Sequence, residues 1–303
     1  AHDGIRDSVA SRGLGDVYKR QRMLSLGGEI ISKEEWPNHP SNVFPNDYRN
    51  LPPNAFFHTF LGGNNPLKAP QEWMNEDQFI HDISVHEWFI KKGFSDELVD
   101  LAYNLNITHG YSAKDVSVLM LMFVNAFAAS QSRLGFQTSL VAEGGNIRIA
   151  EEMAKNLKHE ILLNKEVTSI DLSNDSAKVS CSDGTSYSAN RIICSLPFSV
   201  LKGISIYPKI NGPQSEAIKS LKSQKINMLH LIPKTPFWEK DEMSPNMYTD
   251  ELAGMIISQR QASSPEKVDS LTAWLRGPIA ERLDLMDQKE AIESVIKSIE
   301  RLR

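Results

Sequence analysis

The dipeptide Asp183-Gly184 does most to limit how this chain can fold. It separates two short runs of alternating polarity, "AKVSCS" (177–182) and "TSYSA" (185–189), and Asp-Gly between such runs is a strong hairpin signal, because the favoured turn needs residues that tolerate positive φ. Other β-patterned runs surround it: "EILLN" (160–164), "KEVTSIDLS" (165–173) and "RIICSLP" (191–197). Helical text stands upstream. "SVHEWFIKKGF" (84–94) puts Val85, Trp88 and Phe89 at helical spacing and stops at Gly93. "SDELVDLAYNL" starts at a capping serine, Ser95. Ser112 followed by Asp115 has the pattern of a capping box and predicts a helix opening at Ser112. Downstream come a helix at "PQSEAIKSLKS", a strand at "INMLHLIPK", strands at 253–259 and 270–275, a helix from Pro278 and a last amphipathic helix. Switching from helical to hairpin text near Glu143, and back near Tyr207, predicts an α+β fold in discontinuous domains.

Gly144 and Gly145 close an apolar run and open the helix "NIRIAEEMAKNL". The text from 144 to 149, GGNIRI, lacks the GxGxxG spacing that lets backbone approach a pyrophosphate, so the pair leaves helix entry and cofactor contact both open. Several function classes fall away on similar grounds. A net charge of −5 without a basic stripe argues against nucleic acid as a partner. The longest apolar run, 116–129, is interrupted by Ser117 and Asn125 and falls short of the ~18 residues of a membrane span. Cys181 and Cys194 form neither a CxxC metal site nor a disulfide framework; they are compatible with a reduced, cytoplasmic compartment. No HxxxH or HExxH spacing points to a metal, and Ser130, Ser132 and Ser139 sit in no GxSxG elbow. His109 reads as a solvated turn residue, while Trp36, Trp73, Phe56 and Phe57 are expected to anchor the Pro- and Asn-rich stretch 32–76. Residues 1–21 contain "IRDS" and "DVYKRQ", similar to translated sequencing-adaptor text, and are set aside as a non-native segment. The chain stops within an amphipathic helix that has no glycine cap, so a parent longer at both ends is expected.

Taken in order, Gly144-Gly145, Val167 to Ile170, Asp183-Gly184, Leu196-Pro197 and Pro236-Phe237-Trp238 resemble the middle of the flavin-containing amine oxidases, the monoamine and polyamine oxidase family. The upstream text "AYNLNITHGYSAKDVSVLMLM" is similar to that family's helical cavity segment. The resemblance implies the central part of a two-domain FAD-linked fold: substrate domain in 22–141 and 206–303, part of the FAD-binding domain in 142–205. It implies FAD as cofactor, a small-molecule amine as substrate, and O2 or another electron acceptor; a homodimer is compatible with it. Hydride would leave the carbon beside the amine for the flavin, giving an imine. Val167 would meet the adenine through its main chain, Gly144 and Gly145 would let backbone approach the cofactor, and Leu105 and Asn106 would line the substrate cavity. The family's N-terminal GxGxxG and C-terminal flavin-gripping text are absent from these residues. A flavoenzyme of the same fold acting on amino acids or as a desaturase, and a non-catalytic binding module, are the competing expectations.

One departure concerns chemistry. In the family a lysine ten residues before the tryptophan of PFW holds a water near the flavin, and here that position is Met228. A thioether donates no hydrogen bond. On a strand Lys225 should face away from Met228, whereas Ile226 and His230 share its face. Either a bulge brings Lys225 in, or the site works without the lysine and His230 is the polar group expected there.

Overall fold

In a computed structural model, residues 5–12, 23–133, 138–142, 144–173, 175–240, 243–261 and 264–303 are described. The chain divides into two compact units: one is discontinuous, 1–143 with 224–303, and the other is Gly144–Ser223.

A six-stranded sheet organises the discontinuous unit. Its strands are β2 (Met23–Leu26), β3 (Glu29–Ile31), β9 (Ile226–Leu231), β10 (Met247–Thr249), β11 (Met255–Gln261) and β12 (Ser264–Arg276), in the order β3-β2-β10-β11-β12-β9. All neighbours are antiparallel except β2 and β10, which pair in parallel with Met23 opposite Met247. Alternation along these strands sends apolar side chains to both faces. Leu24, Ile31, Tyr248 and Met255 join a core built with the helices of 53–133. Met23, Met247, Ile256, Leu271, Ala273 and Leu275 join a second core with α8 (Pro278–Asp284) and α9 (Gln288–Arg301). The first core is rich in rings: Phe44 stacks on Phe56 at 4.1 Å between centroids, and Phe60, Phe89 and Phe94 extend the cluster. Offset and edge-on contacts of this kind add to the area such rings bury.

The helices around that core follow their sequence signals. α1 (Pro53–Gly63) begins on a proline and buries Phe56, Phe57 and Phe60. In α2 (Val85–Lys91) the Ser84 hydroxyl accepts from the Glu87 N–H, and in α3 (Asp96–Ala102) Ser95 does the same for Leu98. The capping box expected at Ser112 is a correction. Residues 112–116 form a turn in which the Ser112 hydroxyl donates to Asp115, Ser117 bridges to Ser84, and α4 (Val118–Arg133) opens only after that bridge. The Ser112–Asp115 pair closes on itself instead of capping the helix. Trp36, Phe56 and Phe57 are buried as expected, but Trp73 stays partly exposed against Phe123. Ile5–Arg12 forms β1, antiparallel to β4 (Thr138–Ala142); the rest of the adaptor-like stretch, like Glu143, lies outside the described residues.

The second unit holds a four-stranded sheet, β7-β6-β5-β8, from β5 (Val167–Leu172), β6 (Ala177–Cys181), β7 (Ser186–Ala189) and β8 (Ser205–Tyr207). The Asp183-Gly184 turn joins β6 to β7, with Gly184 at φ +81° and its N–H on the Cys181 carbonyl. Helices α5 (Ile147–Lys155), α6 (Phe198–Leu201) and α7 (Pro213–Ser220) complete the unit. This unit runs to Ser223, where β8 pairs in parallel with β5 and α7 packs on α6. "EILLN" and "RIICSLP" are not strands: 160–164 and 191–197 run as irregular chain, with Leu163 and Ile193 exposed. Among the described residues no helix is long and apolar enough to cross a membrane, and no three His, Cys, Asp or Glu side chains converge to hold a metal ion.

Candidate functional site

β9 is an edge strand, and one of its faces is open. Ile226, Met228 and His230 are exposed and alternate with half-buried Asn227, Leu229 and Leu231. Lys225 and Asn227 turn the other way: the Lys225 ammonium lies 3.2 Å from Asp284 on α8, and the Asn227 amide donates to Asp284 and to the Ala280 carbonyl at 3.0 Å each. That ion pair leaves Met228 without a lysine on its face of the strand. The β12 residues directly opposite are Arg276, Trp274 and Thr272, facing Ile226, Met228 and His230 in turn. His230 Nδ1 is 3.0 Å from the Thr272 hydroxyl, which also accepts from the Gln259 amide at 3.2 Å.

A loop, 107–111, closes over the end of β12. Gly277, which joins β12 to α8, has φ +58°, and a Cβ there would stand 3.0 Å from the Tyr111 carbonyl; only glycine permits so close a joint. Four side chains pin the loop. Tyr103 donates to the His109 carbonyl at 2.7 Å, Gln224 to the Gly110 carbonyl at 2.6 Å, Arg276 Nη1 to the Ile107 carbonyl at 3.4 Å, and Tyr111 to the Glu281 carboxylate. Burial raises the Tyr103 phenol pKa. His109 is half-buried rather than solvated. Desolvation lowers its pKa, and the charge on Arg276 lowers it further. His58 is lowered by burial first and by His109 second. Burial therefore does most to keep both imidazoles toward the neutral form, and at His109 the Arg276 charge adds to it.

Leu105 sits in a single 3-10 turn, Asn104–Asn106, packed against the ring-rich core. With Leu26, Gly27, Asp100, Asn104 and Asp250 it lines an open cleft of about 520 Å³. Of Asn106 only the backbone place in that turn is described. In the other unit, Gly144 and Gly145 have φ +82° and +99°. A Cβ on Gly144 would meet the Arg148 side chain at 3.0 Å, whereas one on Gly145 would meet nothing within 4 Å. Left-handed backbone accounts for both glycines, and it bares main chain at the entry to α5. Val167 pairs with Cys181 of β6, but β8 pairs with β5 only at Ser169–Asp171, so among the described residues no strand pairs with Val167 on that side.

A plain strand at 270–275 singles out neither Thr272 and Trp274 nor the adjoining Arg276. The available signal was "TAWLR": an arginine at the end of an alternation whose other members on that face, Thr272 and Trp274, carry polar hydrogens.

A family model described as flavin containing amine oxidoreductase matches residues 22–303. Polyamine oxidase 4 of Oryza sativa subsp. japonica is 27% identical over 161 residues, covering 52% of this chain and 32% of that protein. Lysine-specific histone demethylase 2 of Homo sapiens is 23% identical over 161 residues, 51% of this chain and 19% of that protein. The chain thus spans about a third or less of these curated relatives. Among solved structures, cyclohexylamine oxidase from Brevibacterium oxydans IH-35A superposes with a TM-score of 0.69 at 14% identity, over 97% of this chain and 64% of that one. Wild-type putrescine oxidase bound to putrescine gives 0.67 at 17% identity, over 98% and 65%. At such identities the likeness shows the shared fold.

Proposed function

Because the chain belongs to the family of flavin containing amine oxidoreductases, we propose that its parent enzyme uses FAD to oxidise the C–N bond of a small-molecule amine to an imine. The match over 22–303 carries this reading. The amine oxidases of shared fold support it over a desaturase or a binding module. When bound, FAD supplies the acceptor for the hydride leaving the carbon beside nitrogen. This chain's residues supply position and surroundings. The free edge of β5 at Val167 fits a main-chain contact with the adenine, and the bared backbone at Gly144 and Gly145 fits close approach of the cofactor. In this reading Leu105 and Asn106 would line the amine's path, and Met228 and His230, on the open face of β9, would be the groups nearest the reaction.

Met228 offers a water no hydrogen-bond donor, and Lys225 is tied to Asp284 on the opposite face. The reading therefore favours slow reoxidation by O2 and a preference for another electron acceptor. It includes pairing into a homodimer, which gel filtration of the enzyme tests. The primary test restores the flanks that the relatives have. The product should keep a flavin absorbance band through desalting and should release peroxide, or reduce an added dye, when given an amine. A colourless product would falsify the assignment. In that enzyme Met228→Lys should speed flavin reoxidation by O2 on the order of tenfold, the effect of one charged donor worth about 1.5 kcal/mol. Lys225→Met should leave the rate unchanged.

A further inference from the structure

Arg276 is a half-buried cation without a counter-ion. Its guanidinium carbon lies 4.9 Å from the centre of the Trp274 ring, and Nη1 reaches the Ile107 carbonyl at 3.4 Å. Neither contact neutralises it, and among the described residues no carboxylate pairs with it. Its Nε is buried with no hydrogen-bond partner, and so is the Trp274 indole nitrogen. Buried polar groups are nearly always satisfied, and here two donors without a protein partner stand two residues apart on one strand face. Partial burial of a charge with nothing opposite is unfavourable, and an anionic ligand would offset that. Burial lowers the Arg276 pKa, in keeping with that cost. The arginine sits across the strands from Ile226, and Trp274 directly across from Met228, so both border the open face of β9.

We propose that Arg276 and Trp274 form a carboxylate subsite, so that the amine this enzyme oxidises also carries an anionic carboxylate group. A guanidinium presents a planar fork of donors that matches a carboxylate's two oxygens, and an indole N–H adds a third donor beside it. This rests on the amine-oxidising reading for the identity of the ligand, but not for the existence of the subsite. A carboxylate could also arrive as a free anion from solution, with the same chemistry.

The 303-residue chain itself serves for the test, with butyrate, γ-aminobutyrate and putrescine as probes, read by thermal melting and titration calorimetry. Butyrate should bind saturably and raise the melting temperature, and putrescine should not. Arg276→Met should abolish the butyrate response and should melt higher than the parent chain without anion, because the uncompensated charge is gone. Arg276→Lys, which keeps charge but not the fork, should bind about tenfold more weakly. Tighter binding of γ-aminobutyrate than of butyrate supports a carboxylate belonging to the substrate; equal binding overturns that part and leaves a free anion as the occupant. No saturable response, or the same response in Arg276→Met, overturns the subsite outright. None of these measurements needs flavin. A parent enzyme that fails to hold FAD would sink the functional reading without touching the subsite, and the converse also holds.

Discussion

The two compact units solve the burial problem differently. The discontinuous unit covers both faces of its sheet, rings and helices on one side and α8 with α9 on the other. The unit 144–223 buries little beyond Ile170, Ala177, Cys181, Leu201 and Ile218. Its helix α5 has a strong apolar face, yet none of its residues is buried, and Ile147 and Met153 are 65% and 68% exposed. The contrast shows that amphipathic spacing specifies a face to be covered, not that the same unit covers it. Exposed apolar surface of this extent is where further contacts form.

Truncation in the ring stack should give the largest effect. Phe56→Ala removes a fully buried side chain that stacks on Phe44 and Phe60, and should cost about 3–5 kcal/mol. Hydrogen exchange should show the loss in 23–133 and not in 165–189. Equal loss in both stretches would mean that the two units unfold as one.

Acid should separate them next. His58 and His109 have folded-state pKa values lowered mainly by burial, so they stabilise the first unit fully above their unfolded value of about 6.5. That contribution is lost as pH falls from there toward the folded values. In the second unit the Asp183 carboxyl is held far below the usual carboxylate range, chiefly by the Lys165 ammonium at 2.6 Å and then by Thr185. Its contribution is present above about pH 4 and is lost only as pH drops below that. Amide exchange followed against pH should show residues near His58 and His109 loosening first and the 181–185 turn later. Asp183→Asn should remove the second step alone.

A smaller effect is expected at the glycine pair. Gly145→Ala should cost about 1 kcal/mol, the penalty of a left-handed residue in open space. Gly144→Ala should cost more, because its Cβ also displaces Arg148. Chemical denaturation of the two variants tests the ranking. Smallest of all is Ile149→Ser on the exposed face of α5: stability should move within about 0.5 kcal/mol. A large loss there would show that this face is covered after all.

How far the sequence could be read follows the same physics. Elements with a local cause were legible. The Asp183-Gly184 turn, the Ser84 and Ser95 caps, Pro213 and Pro278 at helix starts, and the alternation in 226–231 all lie where the text puts them. Readings that needed a distant partner were not. "EILLN" and "RIICSLP" have strand composition but find no strand to pair with among the described residues. Ser112 and Asp115 fit a cap but bond to each other while Ser117 bridges to Ser84. The opposed faces of Lys225 and Met228 followed from strand period alone. By contrast, the lowered pKa of His109 comes from tertiary burial and then from the charge of Arg276, 167 positions away in the chain, neither of which a local pattern announces.

The parallel pairing of β2 with β10 has a consequence in time. Met23 emerges from a ribosome more than two hundred residues before Met247, its partner. At about 5–20 residues per second, β2 waits roughly ten to forty-five seconds for the strand that flanks it. The β2–β3 hairpin has Gly27 and Gly28 at its tip and can close at once. It then presents an apolar, unpaired edge throughout that interval, while Gly144–Ser223 is made and can collapse on local contacts. Slowing synthesis should therefore raise aggregation of the nascent chain through residues 23–26 before it affects anything in the hairpin around Gly184.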